Sequence, residues 1–129
     1  MEGIERVAVL GAGTMGPRIA AQFASRGVRV HFLDLTVQLA REGLARSQAG
    51  PLATPGSFEG DLPMLSECDW VIEAVAENLE IKRSLWERAA RFLSALAIAS
   101  TNTSGLSIAS IAEVLPLHLR QHFLGVHFF

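Results

Sequence analysis

The stretch Val7-Ala-Val-Leu-Gly-Ala-Gly-Thr-Met-Gly16 decides which fold the chain is expected to adopt. An apolar run that ends at Leu10 predicts a buried strand, and apolar residues at helical spacing begin again at Ile19. A Gly-x-Gly-x-x-Gly turn joins the two, and in this context it is typical of a dinucleotide-binding βα unit. A tight turn that binds no ligand is the alternative.

The three glycines of this turn have separate tasks. Gly11 permits the tight turn, Gly13 lets a pyrophosphate approach the backbone, and Gly16 lets the helix pack closely on the strand. The free N–H groups at the start of the helix then face the phosphates. The residues between the glycines are candidate cofactor contacts as well: Ala12, Thr14 and Met15.

A second β-rich run, Val28–Asp34, ends in an acid 18 residues after Gly16. A carboxylate at this position accepts hydrogen bonds from the adenosine ribose and repels a 2′-phosphate. No arginine follows directly, since the next residues are Leu35 and Thr36. The sequence therefore predicts NAD as the cofactor rather than NADP. A helix N-cap role for Asp34 is the alternative.

Length and composition limit the possible classes of protein. The chain has 129 residues, 50% of them hydrophobic and 19% charged, which suits one globular domain over residues 1–129. A net charge of −2 without a basic cluster argues against a nucleic-acid partner. No apolar run reaches the length of a membrane span, so no membrane partner is expected. The single cysteine, Cys68, fits a reducing cytoplasm.

Strands and helices are predicted to alternate along the chain. This order predicts an α/β fold of the Rossmann type, a doubly wound and mainly parallel sheet with helices on both faces. The alternation is interrupted at Gln48–Gly60, which is predicted as a loop with at most a short strand near Phe58. Asp61 is then expected to cap a helical turn. The remaining predicted elements are helices at Val37–Arg46 (capped by Thr36), Leu79–Leu93 and Leu106–Val114, and strands at Asp69–Val75, Leu96–Ser100 and Phe123–Phe129.

Polar residues stand at the ends of the predicted strands, where an open parallel sheet binds its ligands. Besides Asp34, these are Glu77 with Asn78, the segment Thr101–Ser104, and His127. Each also has a structural interpretation. Glu77 would be an acid in the first turn of a helix, and Lys82, on the same helix, a solvated base. Ser104 or Ser107 would cap the following helix, and His127 would be a core residue.

Four ordered motifs of the chain together resemble the NAD-binding domain of the 3-hydroxyacyl-CoA dehydrogenases. They are Gly-Ala-Gly-Thr-Met-Gly16, Glu-Ala-Val-Ala-Glu-Asn-Leu-Glu-Ile-Lys82, Ser-Thr-Asn-Thr-Ser-Gly-Leu-Ser107 and Gly-Val-His-Phe-Phe129. The related 6-phosphogluconate and 3-hydroxyisobutyrate dehydrogenases share the glycine pattern but are not expected to have the last two motifs.

The resemblance implies oxidation of an L-3-hydroxyacyl-CoA to the 3-ketoacyl-CoA, as in fatty-acid β-oxidation, with NAD and without a metal. His127 would take the proton of the 3-hydroxyl, and Ser104 would hold the same oxygen of the substrate. Glu77 and Lys82 would contact the cofactor, and Asn102 would shape its nicotinamide end. Imidazole suits this task because it titrates near working pH.

Two departures from the family pattern limit this interpretation. The chain stops at Phe129, before the family's orienting Glu and the helical C-terminal domain that forms the homodimer and the acyl-CoA cleft. We therefore expect a fragment that binds NAD but is inactive alone. The connection from Thr36 to Gly60 is shorter than the helical excursion that the family has there. Because that excursion helps to hold CoA, the shorter connection affects the expected recognition of CoA. The alternatives are a non-catalytic NAD-binding or NAD-sensing module and a dehydrogenase of another 3-hydroxy acid.

Overall fold

Within residues 3–11, 13–103 and 105–126, which the computed structural model describes, six strands form one sheet. All neighbouring strands in it are parallel. In chain order the strands are β1 (Arg6–Leu10), β2 (Arg29–Asp34), β3 (Ala53–Ser57), β4 (Trp70–Glu73), β5 (Ile98–Asn102) and β6 (Phe123–Val126).

The strand order across the sheet is β3-β2-β1-β4-β5-β6. The chain first builds outward from β1 to β3 and then returns to place β4 on the other side of β1. The order therefore reverses between β1 and β4, and ligands bind above such a point in doubly wound sheets. This confirms the predicted fold class.

The helices follow the strands with short connections. They are α1 (Gly16–Ser25), α2 (Val37–Ser47), α3 (Phe58–Asp61), α4 (Leu79–Ala89), α5 (Ile108–Ala112) and α6 (Leu117–Arg120), with a 3₁₀ helix at Leu62–Glu67. Among the described residues, none of these helices has the length and apolar character needed to cross a bilayer.

The core has two parts, one on each face of the sheet. Successive residues of β1 alternate between them: Val7 and Val9 pack with Ile19 of α1, whereas Ala8 and Leu10 pack on the other face with Trp86 of α4. This alternation follows from the two-residue period of a strand. Both faces of the central strands are thus covered, which explains why β1 is apolar without interruption after Arg6.

The loop predicted over Gln48–Gly60 is wrong in part, because Ala53–Ser57 forms β3 at the edge of the sheet. Phe58 begins α3 instead of belonging to a strand. Pro55 and Gly56 concealed this strand from sequence analysis. An edge strand tolerates proline because it forms a ladder on one side only. A Cβ added at Gly56 would lie 2.6 Å from a methyl carbon of Leu33, so close packing explains this glycine.

The caps predicted at Thr36 and Ser107 are present, whereas the cap expected at Asp61 is wrong. The Thr36 hydroxyl accepts a hydrogen bond from the Leu39 N–H at 3.1 Å, and the Ser107 hydroxyl accepts one from Ser110 at 3.2 Å. Asp61 does not cap the 3₁₀ helix. Its carboxylate instead accepts the N–H of Ser57 at 2.8 Å, which secures the turn after β3.

Candidate functional site

The glycine-rich turn between β1 and α1 is shaped by contacts within the protein at two of its glycines. Gly11 has a φ of +113°, and a Cβ added there would lie 2.7 Å from the Ala74 carbonyl oxygen. A Cβ added at Gly16 would lie 1.7 Å from the Gly11 carbonyl oxygen. These two positions therefore exclude any side chain because of the fold itself.

Gly13 differs from the other two glycines of the turn. A Cβ added at Gly13 would meet no atom within 4 Å, so packing inside the protein does not require glycine here. The space in front of it opens into a crevice. A bare backbone facing an open crevice is what a pyrophosphate needs for close approach, so the residues present fit a dinucleotide.

The crevice has a volume of about 410 Å³ and lies above the point where the strand order reverses. Three segments line it, and five of the predicted site residues are among them. The lining residues are Gly13, Thr14 and Met15 from the turn, Ala74, Val75, Ala76 and Glu77 after β4, and Asn102 and Thr103 at the end of β5.

Asp34 is the last residue of β2 and is partly buried. Its alternative role as a helix cap is wrong, because Thr36 caps α2. Among the described residues its carboxylate has no hydrogen-bond partner, so it is available to the hydroxyls of a ribose.

Sequence analysis missed a cavity of about 400 Å³ between the end of β2 and helix α4, which is mainly apolar but is also lined by Glu80, Ser84 and Arg88. Leu35 and Ile81 stand on its two sides and are 70% and 48% exposed. Exposed large apolar side chains on both sides of a cleft favour a flat apolar ligand group. The available signal was Leu35 itself, an apolar residue directly after the predicted ribose-binding acid.

Lys82 does not have the solvated position that was its structural alternative. The side chain is completely buried, and its ammonium donates to the Glu73 carboxylate at 2.5 Å. It also donates to the backbone carbonyl oxygens of Asn102 at 3.2 Å and Val75 at 3.4 Å. The described contacts of Lys82 are thus with the protein itself, and a contact with the cofactor stays a prediction.

Glu73, which sequence analysis did not single out, is the buried counter-ion of Lys82. Its carboxylate accepts three further hydrogen bonds, from Thr101 Oγ1 at 2.5 Å, the Val75 N–H at 2.9 Å and Trp86 Nε1 at 3.2 Å. The signal in the sequence was an acid inside the apolar run Trp70–Val75, since buried acids require partners.

Glu77 joins the segment after β4 to the loop after β5. The Thr103 hydroxyl lies 2.8 and 2.9 Å from its two carboxylate oxygens, and the Gly105 N–H donates to one of them at 3.2 Å. Lys82 Nζ is 3.7 Å away. The first-turn interpretation of Glu77 is wrong because α4 begins at Leu79, capped by Asn78.

Three predicted site residues, Ala12, Ser104 and His127, lie outside the described residues. Their neighbours are described. Thr103 and Gly105, on either side of position 104, both bind Glu77. Val126, which precedes His127, is paired with Asn102 at the carboxyl end of the sheet.

Cys68 belongs to the core and not to the crevice. It is 2% exposed, and burial, with the nearby Glu67 and Asp69 carboxylates, raises the pKa of its thiol to about 12. The thiolate is therefore scarce at neutral pH, which argues against a nucleophilic role.

Residues 6–52 and 36–129 match the 3-hydroxyacyl-CoA dehydrogenase NAD-binding domain family. A similar protein from Deinococcus radiodurans, named probable 3-hydroxyacyl-CoA dehydrogenase, is 36% identical over 144 residues, which cover 98% of this chain and 42% of that protein. The solved 3-hydroxybutyryl-CoA dehydrogenases of Escherichia coli and Ralstonia eutropha are 30% and 27% identical, with TM-scores of 0.84 and 0.83. Each match covers 98% of this chain but only 30% and 50% of those chains.

The two matched ranges overlap over residues 36–52, which contain α2. The alignment with the Deinococcus protein runs over 144 positions although the whole chain has 129 residues, so that relative has additional residues within the matched region. The extent of the match, the parallel sheet and the crevice at its reversal point lead to one assignment: the chain belongs to the 3-hydroxyacyl-CoA dehydrogenase family, as its NAD-binding domain.

Proposed function

We propose that this chain is the NAD-binding part of an enzyme that oxidises an L-3-hydroxyacyl-CoA to the 3-ketoacyl-CoA. The observation that carries the proposal is the crevice, which joins the bare backbone at Gly13 to Glu77 and Asn102 at two other strand ends. The chain spans less than half the length of the Deinococcus relative, so the activity belongs to a longer protein. We propose that this protein has a helical C-terminal domain, forms a homodimer and works in the cytoplasm.

The adenosine end of NAD fits the β2 side of the crevice. The Asp34 carboxylate, which has no hydrogen-bond partner among the described residues, would accept hydrogen bonds from the ribose hydroxyls, and its charge disfavours a 2′-phosphate. The apolar cavity beside Leu35 and Ile81 suits the adenine ring. Gly13 and the start of α1 would receive the pyrophosphate, with Ala12, Thr14 and Met15 completing the turn.

The reacting end of the site would lie where β4, β5 and β6 end. NAD, when bound, supplies the acceptor for the hydrogen and electron pair that leave C3 of the substrate. His127 would accept the proton of the 3-hydroxyl, and Ser104 would donate a hydrogen bond to the same oxygen. The pairing of Val126 with Asn102 supports this arrangement, because it brings the residue before His127 beside the edge of the crevice.

An exchange of His127 for alanine in the complete protein tests the proposal. We expect turnover of 3-hydroxybutyryl-CoA to fall by about 100-fold or more, because no group remains to take the hydroxyl proton. The dissociation constant for NAD should stay within about twofold, since adenosine and pyrophosphate contacts remain. The exposed His118 of α6 provides a matched control, and His118→Ala should leave both quantities unchanged.

Other outcomes would favour the alternatives. NAD binding without turnover by the unaltered protein would indicate a non-catalytic NAD-binding module. Faster oxidation of the free 3-hydroxy acid than of its CoA thioester would indicate a dehydrogenase of another substrate class. Efficient turnover by the 129-residue chain alone would contradict the expected need for a further domain.

A further inference from the structure

We propose that Glu73 is a positioning residue of the cofactor crevice, acting through Lys82 on the ends of β4 and β5 and on Glu77. The inference rests on the proposed function, because it assigns the nicotinamide end of NAD to this crevice. Neither Glu73 nor Lys82 is among the residues that line the crevice. Their effect on a ligand is therefore exerted through the groups that they hold.

The pair is fully enclosed, so its geometry is tightly determined. Both side chains are 0% exposed, and each Glu73 carboxylate oxygen accepts two hydrogen bonds. Two buried charges lose their hydration, and an apolar pair of similar volume often serves stability equally well. The ion pair is therefore weak evidence for stability, and its hydrogen bonds to the ends of both strands are a separate effect.

Lys82 connects β4 and β5 beyond the point where their backbone hydrogen bonds end, which is where the crevice opens. The last paired residues of β4 and β5 are Glu73 and Thr101, and their side chains also share a hydrogen bond. Beyond this pair the Lys82 ammonium donates to the carbonyl oxygens of Val75 and Asn102, which belong to the two separate segments. One ammonium group thus bridges the two walls of the crevice from below, in addition to the Glu77–Thr103 hydrogen bond.

The same ammonium stabilises Glu77 at the crevice wall. Its nitrogen lies 3.7 Å from Glu77 Oε1, while Glu77 also accepts the Thr103 hydroxyl. The Glu77 side chain is 43% exposed, so its carboxylate lies at the boundary between the buried pair and the crevice. If Glu73 lost its charge, Lys82 would attract Glu77 more strongly. That attraction would weaken the Glu77–Thr103 hydrogen bond and with it the link between the segment after β4 and the end of β5.

A Glu73→Gln exchange in the complete protein tests this inference, with NAD and ADP as two separate probes. ADP has the adenosine and phosphates but lacks the nicotinamide end. We expect the dissociation constant for NAD to rise about tenfold. The segments after β4 and β5 would shift slightly, and the contacts with the nicotinamide end would lose their alignment. The dissociation constant for ADP should remain within about twofold, since the Asp34 side of the site is unaltered.

A double variant, Glu73→Gln with Lys82→Met, keeps the experiment decisive if the single variant folds poorly. It removes both charges, so we expect thermal stability near that of the unaltered protein while NAD affinity stays low. Recovery of NAD affinity together with stability would show that the pair is only structural. An equal loss of NAD and ADP affinity, or no loss of either, would also overturn the inference. Failure of the unaltered protein to bind NAD would instead overturn the proposed function and, with it, this inference.

Discussion

On the β1–β2 side of the crevice the backbone shapes the site, whereas on the β4–β5 side buried polar side chains do so. The turn at Gly11–Gly16 is formed by glycines that touch neighbouring carbonyl groups. All buried polar and charged side chains of the described residues lie on the other side, in β4, α4 and β5: Glu73, Lys82, Ser100 and Thr101.

The difference reflects what each side has to hold. Backbone N–H groups at the start of a helix suit phosphates, which every dinucleotide carries. Side chains offer donors and acceptors that differ with the substrate and the reaction, and they require support to keep their geometry. The buried network around Glu73 is such support. We infer that the glycine side provides general nucleotide binding and the β4–β5 side provides the features specific to the reaction.

The largest effect is expected for Gly16→Ala on the glycine side. The new Cβ would lie 1.7 Å from the Gly11 carbonyl oxygen, so turn and helix must separate. We expect a loss of more than about 4 kcal/mol in the free energy of unfolding, measured by urea denaturation.

Gly13→Ala is the matched control for this exchange, because its Cβ meets no atom within 4 Å. The free energy of unfolding should change by no more than about 0.5 kcal/mol, while NAD binding weakens. Equal destabilisation by both exchanges would show that the turn is held differently from the arrangement described.

An intermediate effect is expected for Asp34→Asn, which acts on the adenosine end alone. Loss of a charged hydrogen-bond acceptor should weaken NAD binding by about 1.5–3 kcal/mol, measured by calorimetry. NADP binding should weaken less or improve, because the repulsion of its 2′-phosphate disappears.

Thermal stability provides the control for Asp34→Asn and should hardly change, since Asp34 has no partner among the described residues. An unchanged ratio of NAD to NADP affinity would contradict the role given to this carboxylate.

The smallest effect concerns Cys68, which is buried in the core on the face of the sheet that α4 covers, and it appears only at alkaline pH. The pKa of the Cys68 thiol is raised from 9.0 to about 12, chiefly by burial. A raised pKa in the folded state means that stability is fully present below pH 9 and is lost as pH rises toward 12.

Cys68→Ala removes the group that titrates, so stability of the variant should decline less steeply between these pH values. The difference is measured by chemical denaturation of both proteins at about pH 8 and about pH 10.5. These two pH values lie on either side of the pKa of the thiol in the unfolded chain. Parallel pH profiles would show that the thiol is accessible to water in the folded protein.

The sequence by itself determined the features that depend on neighbouring residues. These include the glycine turn, the acid at the end of β2, the caps by Thr36 and Ser107, and the alternation of strands and helices that predicts a parallel sheet. Such features are readable because a turn, a cap or an amphipathic period is set by residues a few positions apart. The family resemblance rested on four such local motifs and is confirmed.

Only the tertiary structure decided how distant segments meet. β3 was concealed because proline and glycine are tolerated in an edge strand, a position that no local pattern reveals. The Glu73–Thr101 hydrogen bond joins residues 28 positions apart, and the Glu77–Thr103 bond joins residues 26 apart. Whether Lys82 is solvated or buried depends on the packing of α4 against the sheet. Burial makes its charge expensive to leave unpaired, so the fold turned an ordinary helical lysine into the group that joins two walls of the crevice.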